Sequence, residues 1–486
     1  MAKAKLSRDQ KRKKTLEKRQ KKKDENVVVR LPSGVRNISR RQFDAFCFSR
    51  HPMARNTADE KLWFIAYDRK ILATVFRDTI DNDYGFVIMG RDTRKMFRAL
   101  EVSKTFKPNE LQARNALVKA IKKYKNDGQS VYPQGDETKL TNELFEPLVE
   151  REKLNPLYIA LAEEPRMEAA RNLIKEIVYT FDDPDGHYIK EFQTHGFDAR
   201  LWELYLYIYF HDKFIQIKGN AAPDFHITNG VQEYLVEAVT VNQSENEARP
   251  DEDAPEDLER LRELLNGYMP IKFGSSLYSK LKKKYWKKTH VENKPLIFAI
   301  HDFHSTGSMT WSRTALMEYL YGFRASIVDG KPQITHIETH EWKGKSIPSG
   351  FFNQPDSENV SAVLFSNAAT ITKFNRMGKL AGMGGEDVKI LRAGTRFNPD
   401  PEAFVGIPFH EDVDSPDYTE SWSESLVMYH NPNALHPVDP SDFPDISHIL
   451  KCDENGDEGF FQPYDVLNST SFVISTKEPS PELETI

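Results

Sequence analysis

Residues 200–211 read Arg-Leu-Trp-Glu-Leu-Tyr-Leu-Tyr-Ile-Tyr-Phe-His, a helix-length run that is apolar on nearly every side. A helix without a polar face has to be covered all round, so the fold must wrap further layers about it. Glu203 is the exception inside the run. A buried carboxylate is costly unless it is paired, hydrogen-bonded or bound to a metal. Two readings therefore stand: Glu203 belongs to a site, or it pairs with Arg200 one turn back.

The residues after this helix have the pattern of a sheet. A short strand over 214–218 precedes Pro223, Asp224, Phe225, His226, Ile227 and Thr228. Asn229–Gly230 is then a strong hairpin signal, because both residues tolerate positive φ. Residues 233–241, EYLVEAVTV, have the composition of a buried strand. A two-residue loop at Asn229–Gly230 would set Thr228 opposite Val231 and Asp224 opposite Leu235. Asp224 and Glu237 would then be diagonal neighbours on one face, roughly 7–8 Å apart at the backbone. Two acids so placed can converge on one cation, and their hard oxygens suit magnesium, manganese or calcium. A longer loop can flip the parity of the pairing.

The next stretch, 273–288, reads FGSSLYSKLKKKYWKK. Leu277, Leu281 and Tyr285 recur at i, i+4 and i+8 and predict a buried helical stripe. Lys280 and Lys284 flank the stripe and are in reach of the sheet edge. Lys282, Lys283, Lys287 and Lys288 face solvent, and with Lys284 and Trp286 they offer phosphate contacts beside a stacking surface. The alternative is a solvated basic face with an aromatic anchor. Residues 295–302, PLIFAIHD, predict a central strand of parallel type, being apolar almost throughout. Asp302 and His304 end that strand, with His301 beside them; a structural hydrogen-bonded role is favoured over a site.

The order of these parts resembles the PD-(D/E)XK superfamily, the restriction-endonuclease-like phosphodiesterases. The matching residues are Glu203 in a helix, Pro223–Asp224, and Glu237 in the following strand, with a helix and an apolar strand after them. The resemblance covers about a hundred residues, roughly a fifth of the chain. It implies an α/β fold, α+β overall, with a mixed sheet flanked by helices. It implies Mg²⁺ or Mn²⁺ held by Asp224 and Glu237, and hydrolysis of nucleic-acid phosphodiesters. Glu203 would orient the attacking water or complete the metal shell. One position departs from the pattern: the lysine of Glu-x-Lys would stand at 239, where this chain has Val239. Some members supply that lysine from a neighbouring helix, and Lys280 is the candidate here. The alternative is a catalytically inactive nuclease fold that binds nucleic acid or a protein partner.

Composition bounds the rest. The first 26 residues carry 12 Lys/Arg and 4 Asp/Glu, a net of +8, so the remainder carries −14 of the −6 total. An acidic body repels polyanions, which confines nucleic-acid contact, DNA ahead of RNA, to local basic patches. Two cysteines in 486 residues argue against a disulfide scaffold or a cysteine zinc site and fit a reducing cytoplasm. No apolar run of about 18 residues appears, so no membrane partner is expected. The chain divides into a basic tail (1–26), a small α+β module (27–129) with successive short strands at 62–67, 71–79, 84–89 and 96–102, a linker with helix (130–196), the nuclease-like core (197–440) with an acidic insert (243–263), and an acidic C-terminal segment (441–486). His336 and His340 share a strand face at even spacing, Lys373–Gly378 could touch a phosphate or be an ordinary loop, and His430–Pro432 and His436–Pro437 read as turn punctuation. Neither a phosphate-binding GxxxxGK[ST] loop nor a GxSxG elbow is present, against a P-loop ATPase or an α/β-hydrolase.

Overall fold

The computed structural model describes residues 27–137, 143–183, 186–211, 213–216, 222–242, 257–304, 307, 310–328, 331–400, 403, 405–452, 458–461 and 466–475. The basic tail, residues 243–256 of the acidic insert and residues 476–486 lie outside them. The described residues form two compact units, divided between 137 and 143.

The N-terminal unit is an antiparallel meander of β1 (Val35–Ile38), β2 (Ala58–Ala66), β3 (Ile71–Asp78), β4 (Tyr84–Arg91) and β5 (Phe97–Val102). Helix α1 (Glu110–Ala120) comes next, capped by the Asn109 side chain accepting from the Gln112 amide at 3.0 Å. The meander packs Phe64, Ala73, Val75, Phe86 and Ile88 with Ala113, Leu117 and Ile121 of the helix and the turn after it. The strand readings at 62–67, 71–79, 84–89 and 96–102 match β2 to β5 apart from their ends. β1 was not anticipated; it is only four residues long.

The second unit starts with α2 (Pro156–Glu163), α3 (Glu168–Val178), α4 (Tyr188–Gln193) and α5 (Phe197–His211). Residues from 143 therefore belong to this unit: the helical part of the 130–196 reading is present in α2, α3 and α4, and Leu144, Tyr158, Leu161, Leu173 and Phe192 are all buried. α5 is the all-round apolar helix, with ten buried residues. Each such large side chain contributes roughly 1.5–3 kcal/mol on burial. After α5 come β6 (Ile215–Gln216), β7 (Phe225–Thr228) and β8 (Glu233–Val241), then α6 (Leu258–Glu263), α7 (Met269–Leu281) and β9 (Leu296–Asp302). Next are α8 (Arg313–Tyr321), the hairpins β10 (Phe323–Val328)–β11 (Lys331–His336) and β12 (Thr339–Trp342)–β13 (Lys345–Pro348), β14 (Ala362–Ser366) and α9 (Ile371–Leu380). The chain goes on through β15 (Val388–Arg396), β16 (Ile407–Asp412), β17 (Val427–His430), β18 (Ser447–Cys452), β19 (Glu458–Phe461) and β20 (Val466–Ser475).

Eight strands form one mixed sheet in the order β19-β18-β17-β14-β9-β8-β7-β6. β8, β9 and β14 are parallel neighbours, while β6, β7 and β8 are antiparallel. The architecture is thus α+β, a mixed sheet with helices. A core ending at 440 needs correction, because β18 pairs in parallel with β17 and extends the sheet. β20 likewise joins β15 and β16 in a second sheet of three strands. The acidic composition of 441–486 as a whole hid the strands within it.

The predicted helix over 273–288 is displaced. α7 begins at Met269 and ends at Leu281, Lys284 takes a left-handed backbone (φ 49°), and a 3-10 turn covers Tyr285–Lys287. The turn redirects the chain so that Tyr285 still joins Leu277 and Leu281 in the core.

Candidate functional site

β7 starts one residue after Asp224, and its last pair is Phe225 with Val236. β8 continues five residues further, to Val241, hydrogen-bonded to β9 along its other edge. The result is a fork at the end of β7. Into it open Ala199 and Glu203 from α5, Ser275, Ser276, Ser279 and Lys280 from α7, and Ala238, Val239 and Thr240 from β8. With Asp224 they line a cleft of about 400 Å³.

The loop between β7 and β8 has four residues, not two, because Asn229 Oδ1 accepts from the amides of both Val231 and Gln232 at 2.9 Å. Thr228 pairs with Glu233 in place of Val231. A shift by two residues keeps the parity, since the strand period is two. Continued by one step, this register sets Asp224 directly opposite Glu237 instead of diagonal to it.

Asp224 is open to solvent on the cleft side, and its Oδ2 accepts from the Ala238 amide at 2.7 Å. Loss of hydration inside the cleft, and after it the charge of Glu237, pushes its carboxyl above the usual carboxylate range. Glu237 is 3% exposed. Its Oε1 accepts from Lys280 Nζ at 2.6 Å and from the Tyr285 hydroxyl at 2.5 Å. Its Oε2 is buried and has no hydrogen-bond partner among the described residues. Leaving a buried carboxylate oxygen unsatisfied is costly, more so than for a neutral group.

Glu203 accepts from Arg200 Nη1 at 2.6 Å, and Arg200 also binds Glu191. The internal pairing anticipated from the sequence is therefore present, while the same carboxyl lines the cleft. Burial, then the nearby charge of Asp224, pushes Glu203 up to about 7 against the pull of Arg200 and Lys280. Val239 is buried among apolar side chains of α7 and β9, so a lysine there would lose its hydration. Lys280 brings an ammonium to Glu237 from the helix instead.

The lysine-rich segment divides. Lys282, Lys283, Lys287 and Lys288 are exposed. Lys284 pairs with Asp356 at 2.7 Å, and Lys288 Nζ donates to the Ala222 carbonyl at 3.2 Å. Trp286 packs partly against the core, which reduces its value as a stacking platform.

Other sequence candidates do not join the cleft lining. His301 is fully buried, its Nε2 accepts from the Ala369 amide at 3.0 Å, and burial lowers its pKa to about 3. Asp302 and His304 bind one another at 2.7 Å in the interior. His340 is held by the Asn266 carbonyl and Ser349, and His336 lies on a different strand, so they share no face. His430 ends β17 and is bonded to His448 at 2.9 Å, and the turn expected over 430–432 follows it at Pro432–Asn433. The segment 373–378 lies in α9, not in a loop: Lys373 and Arg376 bind the buried Glu420, which Arg392 also approaches.

Among the described residues, no group of three or more His, Cys, Asp or Glu side chains is arranged to hold a metal ion. Asp224 lines the cleft, whereas Glu237, with an oxygen unsatisfied among the described residues, is buried beside it and is not among the lining residues. Both present hard oxygen donors, the chemistry that Mg²⁺ or Mn²⁺ takes with water completing the shell. Sequence reasoning missed the Tyr285 hydroxyl and the three serines. The signal for Tyr285 was its place in the apolar stripe, because a buried tyrosine usually finds a partner for its hydroxyl. No protein-family model, curated protein or solved structure matches this chain.

Proposed function

We propose that the cleft binds a divalent cation, Mg²⁺ or Mn²⁺, at Asp224 and Glu237 and hydrolyses nucleic-acid phosphodiester bonds. The observation that carries this reading is the buried, unpartnered Oε2 of Glu237 in a carboxylate whose other oxygen holds Lys280. The order α5, three antiparallel strands, α7 and a parallel strand supports it, since that is the order of the PD-(D/E)XK core it resembles. A cation held there supplies hydroxide near neutral pH and neutralises phosphate charge. Asp224 keeps one oxygen on the Ala238 amide, which fixes its orientation. Lys280 stands where an ammonium can guide the attacking water or stabilise the phosphate, the role left open by Val239. Glu203, pushed up to about 7, can take or give a proton near neutral pH.

Calorimetric titration with Mn²⁺, then plasmid and oligonucleotide cleavage in Mn²⁺, tests the reading. Absence of binding overturns it. Binding without cleavage of any DNA or RNA favours the second reading, an inactive nuclease fold that binds nucleic acid, for which Val239 speaks. We place the protein in the cytoplasm on its sparse cysteine content. Among the described residues no helix is long and apolar enough to cross a membrane.

Substrate contact is assigned to the exposed lysines after α7, with DNA preferred over RNA. Each phosphate neutralised on a duplex contributes about −0.9 to the slope of log affinity against log salt. Replacing Lys282, Lys283 and Lys287 by alanine is expected to flatten the slope for duplex DNA by up to about 0.9 per lysine, with little sequence preference lost. Fluorescence anisotropy across a salt series measures it. An unaltered slope would move the contact elsewhere, first to the basic residues 1–26.

A further inference from the structure

We infer that Tyr285 is a positioning residue for the cation site, acting through Glu237; the inference rests on the metal-site reading above. Glu237 has two carboxylate oxygens with different surroundings. Oε1 takes both the Lys280 ammonium at 2.6 Å and the Tyr285 hydroxyl at 2.5 Å. Oε2 takes neither and is buried without a partner among the described residues. Two donors converging from α7 and the turn after it fix the rotation of the carboxylate and decide which oxygen stays available.

The two donors differ in kind. Lys280 is partly exposed and ends a flexible chain, so its ammonium is free to leave Glu237 when a phosphate or a water needs it. Tyr285 is 2% exposed, sits edge-on to Phe298 at 6.4 Å between ring centres, and comes directly after the left-handed Lys284. A rigid ring held by the core cannot turn away. The hydroxyl therefore keeps Oε1 occupied whatever Lys280 does, and Oε2 remains the ligand atom. Holding a ligand by a hydrogen bond to its other oxygen lowers the reorganisation that binding requires.

Tyr285→Phe removes the hydroxyl and keeps the ring. Calorimetric titration with Mn²⁺ of the full chain compares wild type, Tyr285→Phe, Glu237→Gln and the double variant, each with a thermal melt on the same sample. Tyr285→Phe is expected to melt within a few degrees of wild type while its Kd for Mn²⁺ rises at least about tenfold, the usual effect of losing such a partner. Added to Glu237→Gln, the same change is expected to alter the residual Mn²⁺ affinity less than twofold. A Kd for Tyr285→Phe within twofold of wild type overturns the inference and leaves the metal site standing. A tenfold effect that persists in the Glu237→Gln background also overturns it, because Tyr285 then acts by another route. Wild type that binds no Mn²⁺ overturns the metal-site reading and this inference together.

Discussion

Asp224→Asn is expected to abolish Mn²⁺ binding and any cleavage while leaving the fold intact. The amide keeps the shape and one acceptor for the Ala238 amide, but it removes the charge that would hold the cation. Without the cation, water activation and neutralisation of phosphate charge are both lost, and each is worth several kcal/mol, about a hundredfold or more in rate. Stability moves the other way. The Asp224 carboxyl is raised by lost hydration and by Glu237, so the folded protein holds its proton more tightly than the unfolded chain does. Such a group contributes stability below its unfolded pKa and loses it as pH rises through the folded one. In metal-free buffer the variant should therefore melt at or above wild type at pH 8. The difference should fade as pH falls through the raised folded pKa, about 6, and be gone below about pH 4, where the carboxyl is neutral in both states. Thermal melts with EDTA at the two pH values, beside calorimetry and oligonucleotide cleavage in Mn²⁺, measure it. An Asp224→Asn protein that binds and cuts like wild type would show the site to be wrongly placed.

Glu420→Gln is expected to cost the second unit about 3–5 kcal/mol, the usual penalty for removing one partner of a buried pair. Glu420 is wholly interior, and its carboxylate takes Arg376 in a fork at 2.9 and 2.8 Å, Lys373 at 2.7 Å and the Tyr418 hydroxyl at 2.6 Å. Arg392 approaches it at 3.5 Å. An amide presents an N–H₂ group to those cations and leaves Glu424, on Arg392, as the remaining carboxylate of the cluster. The cations overcome the burial of Glu420 and hold its carboxyl well below the usual range. Its stabilisation is therefore present above the unfolded pKa and lost only as pH falls through the depressed folded one. The two proteins should differ throughout pH 5–8 and converge only in strong acid. Every tryptophan except Trp63 lies in this unit, so fluorescence during urea unfolding reads it. Equal midpoints for variant and wild type would mean that the buried cations find other compensation.

Near the cleft, much of the arrangement was legible because it is local. α5 was visible because no polar face interrupts it, and β9 because it is apolar throughout. Asp224 and Glu237 could be set on one face because a strand has period two. That argument survived a wrong loop length only because the error was even. The end of α7 was not legible: nothing in LKKKYWKK marks Lys284 as the residue that turns left-handed. The Glu420 cluster was invisible for a different reason. Lys373, Arg376, Arg392 and Glu420 are each surface residues by composition, and a single sequence carries no sign that they meet in the interior.

The sequence by itself determined several parts of the second unit: an all-round apolar helix, a hairpin with one acid beside it and one in its second strand, an amphipathic helix with lysines at and beyond its end, and a central strand. Those come from periodicity, turn chemistry and the cost of exposing apolar surface, which act over a few residues. Only the tertiary structure decided that Lys280 and Tyr285 converge on one oxygen of Glu237, that Glu203 meets both Arg200 and the cleft, and that Val239 belongs to the core. These depend on how far each helix slides and turns against the sheet. That is set by the close packing of many side chains distant in sequence, and no local rule carries it.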